Sequence, residues 1–347
     1  MNAALDLSYV VPVRWRDGEQ RQELASYLAE IAPHCAEVIV VDGSPAEVFA
    51  ANAETWGAFV THVPPLEDEQ WLMGKVSGVR TGVRLASHER VVIADDDVRY
   101  DLEALRRTAG LLGAYDLVRP QNYFSSLPWH ARWDTARTLL NRCFGRDYPG
   151  TLAVRRSRLL ATGLYDGDVL FENLELIRTV RAAGGSDVAP IDLYVARTPP
   201  SSAHFWGQRT RQAYDDFALP LRMALWLAAV PLLALDWRRS HADGTKIRLY
   251  GGKSSRRPRL GLVAVALSVA LAERGRRRAG GAAFFPATSS LLAPVWVLER
   301  GVCAWLAVLQ RLRFGGVRYG DSVIPRAAHS ERQLRRAREG RSELVRS

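Results

Sequence analysis

Three short apolar runs, at residues 7–13, 38–41 and 91–94, do most to limit what this chain can fold into. They are rich in valine and isoleucine and lack strict alternation, so they read as strands covered on both faces, as in a parallel sheet. Between the first two, a helical pattern over residues 22–31 puts Leu24, Leu28 and Ile31 on one face, and Pro33 ends it. Strand, helix, strand within this length is a βαβ unit with a right-handed crossover. A further strand is expected at residues 58–63, ahead of Pro64 and Pro65. The stretch GKVSGVRTGVRLAS then repeats the helical spacing through Val76, Val79, Val83 and Ala86. The expected architecture is an α/β fold of nucleotide-binding type. It lacks the G-x-G-x-x-G fingerprint of dinucleotide enzymes, which argues against a dehydrogenase.

The third run ends in three carboxylates, Asp95, Asp96 and Asp97. Side chains alternate along an extended segment, so Asp95 and Asp97 project together while Asp96 points away in a structural role. The carboxyl end of a strand in an open α/β sheet is where ligands bind. Paired carboxylates there repel unless a cation neutralises them, and hard oxygen ligands suit Mg²⁺ or Mn²⁺ bridging to a substrate's phosphates. An acidic turn capping the next helix is the competing reading. Asp42 ends the second run beside a Gly-Ser turn, where it either accepts hydrogen bonds from a ribose or base or satisfies its own turn. Lys75, at the start of a helix, fits a phosphate-facing corner, although no P-loop spacing surrounds it.

Downstream, a helix is expected at residues 102–112, a strand at 116–124, a helix and loop over 127–148, and a strand at 151–154 followed by a helix. Asp166, Asp168, Glu172 and Glu175 then gather at the front of a further helix, with Leu174, Ile177 and Val180 on its apolar face. Some of them oppose the helix dipole, and a carboxylate held near a sugar hydroxyl can serve as general base.

Charge divides the chain. Residues 1–216 carry 23 basic and 29 acidic side chains, whereas residues 217–347 carry 24 basic and 8 acidic. A basic, partly apolar rear half points to an anionic membrane surface. Nucleic acid is disfavoured, because apolar stretches separate the arginines and no recognition module is present. The apolar stretches at residues 219–235, 260–272 and 282–298 are interrupted or short beside the about 20 residues of a spanning helix. Interfacial helices or dipping hairpins are expected, with one or two true spans or a soluble helical subdomain as alternatives. Cys35, Cys143 and Cys303 lie far apart, as in a reducing compartment. No secretory signal is expected at the N-terminus.

Taken in order, VVPVR, VIVVDGS, GKVSGVRTGVRLA, VVIADDDVRYD, GTLAVRRSRL and FENLELIRTVRAAG resemble the family 2 glycosyltransferases over residues 7–216. HFWGQRTRQAYDDF looks like the Q-x-x-R-W element of their membrane-associated branches, and LRFGGVRYGDSVI like a short post-membrane segment. The resemblance implies a GT-A catalytic domain at 1–216, a membrane-associated helical region at 217–320 and a charged tail at 321–347. It implies a nucleotide-diphospho-sugar donor, Mg²⁺ or Mn²⁺, and a lipid or membrane-linked glycan acceptor at the cytoplasmic face of the cell membrane. Asp42 would meet the nucleoside, Asp95 and Asp97 would form the D-x-D pair, and Asp97 would hold the metal most directly. Glu172 matches the first residue of the family's Glu-Asp pair and Asn173 replaces the second, so Glu172 is the first choice as base and Asp168 the second. Gln208 and Arg211 match Q-x-x-R, while Gln212 replaces the tryptophan. Lys75 or Arg211 would add to the charge that stabilises the leaving diphosphate. A base opposite that group implies inversion. The alternatives are a catalytically impaired, membrane-docked nucleotide-sugar-binding protein and a sugar nucleotidyltransferase, which the missing N-terminal glycine-rich loop disfavours.

Overall fold

The computed structural model describes residues 4–18, 20–250, 260–320 and 322–346. The chain begins with β1 (Leu5–Val13), α1 (Arg21–Ile31), β2 (Cys35–Asp42), α2 (Ala46–Trp56), β3 (Thr61–Val63), α3 (Gly74–Leu85) and β4 (Arg90–Ala94). It continues with β5 (Val98–Arg99), α4 (Leu102–Leu111), β6 (Leu117–Val118), β7 (Gln121–Phe124), α5 (Trp129–Phe144), β8 (Thr151–Arg155) and α6 (Arg156–Leu160). Next come α7 (Glu172–Ala182), β9 (Asp187–Val188), β10 (Tyr194–Arg197), α8 (Ser202–Tyr214), α9 (Pro220–Tyr250) and α10 (Leu260–Arg277). The last elements are α11 (Ala287–Leu291), α12 (Ala293–Phe314), β11 (Val317–Tyr319), β12 (Ser322–Ile324) and α13 (Glu331–Arg346).

Two compact units result. The first comprises Met1–Ser125, Tyr148–Pro199 and Arg318–Ser347; the second comprises Ser126–Asp147 and Pro200–Val317. These units cut the chain differently from the sequence segments ending at 216 and 320.

In the first unit a seven-stranded sheet runs β3-β2-β1-β4-β8-β6-β9. Strands β3, β2, β1 and β4 are mutually parallel, and β8 turns antiparallel to β4. The chain moves outward from β1 through β2 to β3, then returns to β4 on the other side of β1. That reversal is a topological switch point, where a crevice opens at the strands' carboxyl ends. A second sheet, β5-β10-β7, covers the segment after β4. The core confirms why the early apolar runs form strands: Tyr9, Val10, Val40, Val91 and Val92 are fully buried. Burying tyrosine demands partners for its hydroxyl. Tyr9 and Tyr27 pair their hydroxyls at 3.0 Å, Tyr27 also accepts from the Tyr100 amide, and the Tyr100 hydroxyl meets Thr151 Oγ1 at 3.0 Å.

Helix α3 lies close on β1 because glycines face the strand. A Cβ on Gly82 would stand 2.3 Å from Val10 Cγ1. The close approach places the N-terminus of α3, with Lys75, at the switch point.

Three expectations need correction. The strand foreseen at 58–63 shortens to Thr61–Val63, because residues 57–60 turn, with the Phe59 amide bonding the Trp56 carbonyl. The strand foreseen at 116–124 splits into β6 and β7, in different sheets, at Pro120, which has no amide hydrogen to offer a ladder. Residues 321–347 are not merely a charged tail. The Arg326 and Ala327 carbonyls accept the Leu170 and Phe171 amides at 3.0 and 2.8 Å, and Arg178 Nη1 donates to the His329 carbonyl at 2.7 Å.

The second unit is helical. Its buried charges are paired: Arg209 with Asp134 and Glu299 at 2.9 and 3.1 Å, and Arg300 with Asp216 at 2.8 Å. Helices α9, α10 and α12 leave large apolar side chains exposed, among them Leu221, Leu225, Leu262, Leu309 and Leu312. Among the described residues one stretch, Pro220–Arg239, is long and apolar enough to cross a membrane. The stretch at 282–298 is broken between α11 and α12, with Pro294 in the first turn of α12, where its missing amide hydrogen costs least. The arginine-rich connection at 236–259 is helical through Tyr250, and its remainder lies outside the described residues.

Replacing Gly82 by valine is expected to destabilise the first unit by about 1–3 kcal/mol, because the packed strand beneath must yield. Urea unfolding of the variant measures it, and an unchanged midpoint would refute this account of the α3 packing.

Candidate active site

Asp95, Asp96 and Asp97 follow β4 directly, in a tight turn in which the Val98 amide bonds the Asp95 carbonyl. The segment is a turn rather than the extended strand end expected, so it is the turn, not strand alternation, that sets Asp96 apart. Asp96 turns toward the β1 side and accepts from Trp15 Nε1 at 2.6 Å. Asp95 and Asp97 share Arg197, the last residue of β10: its Nε lies 2.7 Å from Asp97 Oδ2 and its Nη2 3.8 Å from Asp95 Oδ2. Lys75 bridges Asp95 Oδ1 at 2.5 Å and Glu172 Oε1 at 2.7 Å.

Burial and charge set the protonation balance here. Burial disfavours the ammonium of Lys75, but Asp95 and Glu172 outweigh it and hold the group well above the usual lysine value. Burial, with Asp97 adjacent, pushes Asp96 up to about 6. Burial also raises Asp97, against the opposing pull of Arg197.

Beside this cluster a cleft of about 500 Å³ opens, lined by Arg14, Asp42, Phe49, Pro65, Trp71 and Gly74. Its size suits a small organic ligand. Asp42 is almost wholly buried and accepts from Asn52 Nδ2 at 2.8 Å and the Ser44 amide at 2.9 Å, with His62 Nε2 at 3.1 Å. Burial works to raise its pKa, but these hydrogen bonds prevail and hold the carboxyl below its ordinary value. Phe49 gives this end of the cleft an aromatic wall and is backed by His62, with ring centroids 4.3 Å apart.

The two candidate bases sit on one connected segment. Glu172 opens α7, and Asp168, exposed in the preceding loop, accepts the Leu72 amide at 3.1 Å. The Met73 amide bonds the Gly167 carbonyl at 3.0 Å, so this loop is pinned to the residues just before Lys75. Asn173 donates to the Pro149 carbonyl at 2.9 Å, a structural task that fixes the turn preceding β8. Gln208 and Arg211 lie on α8, in the second unit, with Gln212 Nε2 donating to Gln208 Oε1 at 3.2 Å. The first unit thus brings together Asp42, Lys75, Asp95, Asp97, Asp168 and Glu172.

Arg197 escaped the sequence reading. Its one signal was a basic residue at the end of a short strand, ahead of Thr198 and two prolines. Glu175, expected only as one of the carboxylates gathered at the front of a helix, is a buried anchor: it accepts from the His329 amide at 2.7 Å and pairs with His329 Nδ1 at 2.9 Å.

Among the described residues no group of three or more His, Cys, Asp and Glu side chains is arranged to hold a metal by itself. Asp95 and Asp97 nevertheless offer two hard carboxylates, and Asp97 Oδ1 is buried without a hydrogen-bond partner. That donor set fits Mg²⁺ or Mn²⁺ whose remaining ligands come from a substrate's phosphates.

The mixed α/β architecture, with its mainly parallel central sheet and flanking helices, is that of a GT-A glycosyltransferase fold. A mannosyltransferase from Pyrobaculum calidifontis, solved with GDP-Man and Mn²⁺, superposes with a TM-score of 0.50 at 18% identity, covering 86% of this chain and 87% of that one. Glucosyl-3-phosphoglycerate synthase from Mycobacterium tuberculosis, solved with Mn²⁺, UDP and phosphoglyceric acid, is also similar, with a TM-score of 0.40 at 18% identity over 60% of this chain and 76% of that one. No protein-family model matches the sequence, and no curated protein matches it significantly.

His329→Ala deprives the fully buried Glu175 of a partner, and an expected loss of about 1–3 kcal/mol follows from the unmade bond. Chemical denaturation checks it. A variant as stable as the parent would show that the C-terminal segment does not brace α7.

Proposed function

We propose that this protein is an inverting, metal-dependent glycosyltransferase of the family 2 type, moving a sugar from a nucleotide-diphospho-sugar to a lipid-linked or membrane-associated acceptor hydroxyl. The observation that carries the reading is the convergence of Asp95, Asp97, Lys75 and Glu172 at the switch point, beside the cleft that Asp42 lines. Asp42 and the Phe49 wall receive the nucleoside. Asp95 and Asp97 hold the metal ion, which when bound offsets the charge that grows on the departing diphosphate. Lys75, on the same cluster, adds a fixed positive charge to that side. Glu172 takes the proton from the acceptor hydroxyl as it attacks, a contribution of typically ~10²–10⁴-fold, with Asp168 the second candidate. Attack from the face opposite the diphosphate gives inversion. Gln208 and Arg211, matching Q-x-x-R, are assigned to the donor as well.

The basic, apolar-faced helices of the second unit support docking at an anionic membrane, at the cytoplasmic face. The acceptor then arrives in the plane of the lipid, which is why a lipid-linked glycan fits better than a soluble sugar.

A panel of nucleotide-sugars, read by nucleoside diphosphate release with membrane extract as acceptor and Mn²⁺ present, tests the reading. Asp97→Asn is expected to lower transfer by about 10²–10³-fold or more, the scale of removing a major electrostatic stabiliser, while the thermal midpoint stays near that of the parent. Full activity in that variant would remove Asp97 from the site, and no release from any donor would remove the function.

A further inference from the structure

Arg197 has no task in the chemistry just derived, yet it is the residue that joins Asp95 to Asp97. We propose that Arg197 is an internal stand-in for the divalent ion: its guanidinium neutralises Asp97 and Asp95 in the free protein and must swing onto the donor's diphosphate before the ion can take its place. The inference rests on the glycosyltransferase reading and adds to it that ion and donor bind as a coupled pair.

Three features of the first unit support the exchange. The two cations at the cluster are not equivalent. Lys75 is tied to both Asp95 and Glu172, whereas Arg197 pairs with the two aspartates that the metal needs. The Arg197 side chain keeps 30% of its surface in solvent, against 21% for Lys75, so it has a route outward. Its backbone is held in place, because the Thr198 amide bonds the Asp97 carbonyl at 2.8 Å. Only the side chain has to move.

The seat for the guanidinium is shaped by Gly150. A Cβ there would lie 2.8 Å from Asp95 Oδ2 and 3.3 Å from Arg197 Cζ, so a glycine leaves the room that the pair occupies. The Asp95 amide bonds the Gly150 carbonyl at 3.0 Å, and the Gly150 amide donates to Asn122 Oδ1 at 2.7 Å, which keeps this seat rigid.

Electrostatics then couples the two ligands. A divalent ion arriving alone displaces one cation from a site that still contains another, and it leaves the guanidinium beside a dication. A diphosphate arriving alone brings negative charge to a group of carboxylates. Arriving together they balance, because a planar guanidinium forms bidentate bonds to phosphate as readily as to carboxylate. Coupling of this kind is reciprocal: each ligand must raise the affinity for the other by the same factor.

The experiment is a Mn²⁺ titration of the full-length protein, followed by the electron paramagnetic resonance signal of free Mn²⁺, alone and with UDP or GDP. In the parent, the nucleoside diphosphate is expected to tighten Mn²⁺ binding by about tenfold or more, within the range of coupled sites. In Arg197→Met, which keeps the apolar stem, Mn²⁺ alone is expected to bind about tenfold more tightly than in the parent, with the further gain from nucleotide much reduced. Should that variant fail to fold, Arg197→Lys keeps a cation but not the fork; a smaller gain is expected, and none overturns the proposal. If the parent shows nucleotide-coupled Mn²⁺ binding but Arg197→Met binds Mn²⁺ alone no better than the parent, the stand-in role is wrong and the glycosyltransferase reading stands. If the parent binds no Mn²⁺ with either nucleotide, both fall.

Discussion

Like charges at the carboxyl ends of parallel strands repel, and the first unit is arranged around the cations that hold them in place. Lys75 comes from α3, Arg197 from β10 and Glu172 from α7, elements with no local reason to meet. Each is delivered by a separate backbone device: glycines that let α3 lie on β1, the small second sheet that carries β10, and the loop ahead of α7 pinned to residues 72 and 73. The carboxylates therefore act as an organising constraint. Without Lys75 and Arg197, holding the partly buried Asp95 and Asp97 side by side in one turn would be strongly unfavourable.

How much of this could be read beforehand depended on whether the signal was local. Strand ends are local: an apolar run followed by aspartates places Asp42, Asp95 and Asp97, although the turn that sends Asp96 to Trp15 is not the extended geometry from which its separation was inferred. The helix bearing Lys75 was legible from its valine spacing. Long-range pairing was not. Arg197 stands 100 positions from Asp97, in a four-residue strand whose sequence carries no periodicity. The shortening of β3 and the division at Pro120 reflect turn chemistry that hydrophobic runs conceal. For Gln208 and Arg211, resemblance to a motif indicated a role while saying nothing about which compact unit would carry them.

The second unit solves a different problem. Its helices turn apolar side chains outward while placing ion pairs inside, with Arg209 and Arg300 almost wholly buried against Asp134, Glu299 and Asp216. Buried pairs of this kind contribute little net stability compared with well-packed apolar side chains. They are directional, however, and a hydrogen-bonded guanidinium fixes which helix faces meet where leucine and alanine alone would allow several packings. Leucines on α9, α10 and α12 stay exposed outside this packing.

The segment that braces α7 has a consequence for biosynthesis. His329 and the carbonyls of Arg326 and Ala327 support the loop that leads into Glu172, yet in the chain they follow the whole of Pro200–Val317. A ribosome releases them only after those helices. Strands β1 to β10 can assemble while the helical insert is still being translated, but the loop ahead of Glu172 remains without its brace until residues 326–329 emerge. Bracing of that loop is thereby deferred until the intervening helices have left the ribosome, so a nascent chain that stops short of residue 326 carries the aspartates in place and the loop ahead of Glu172 unsupported.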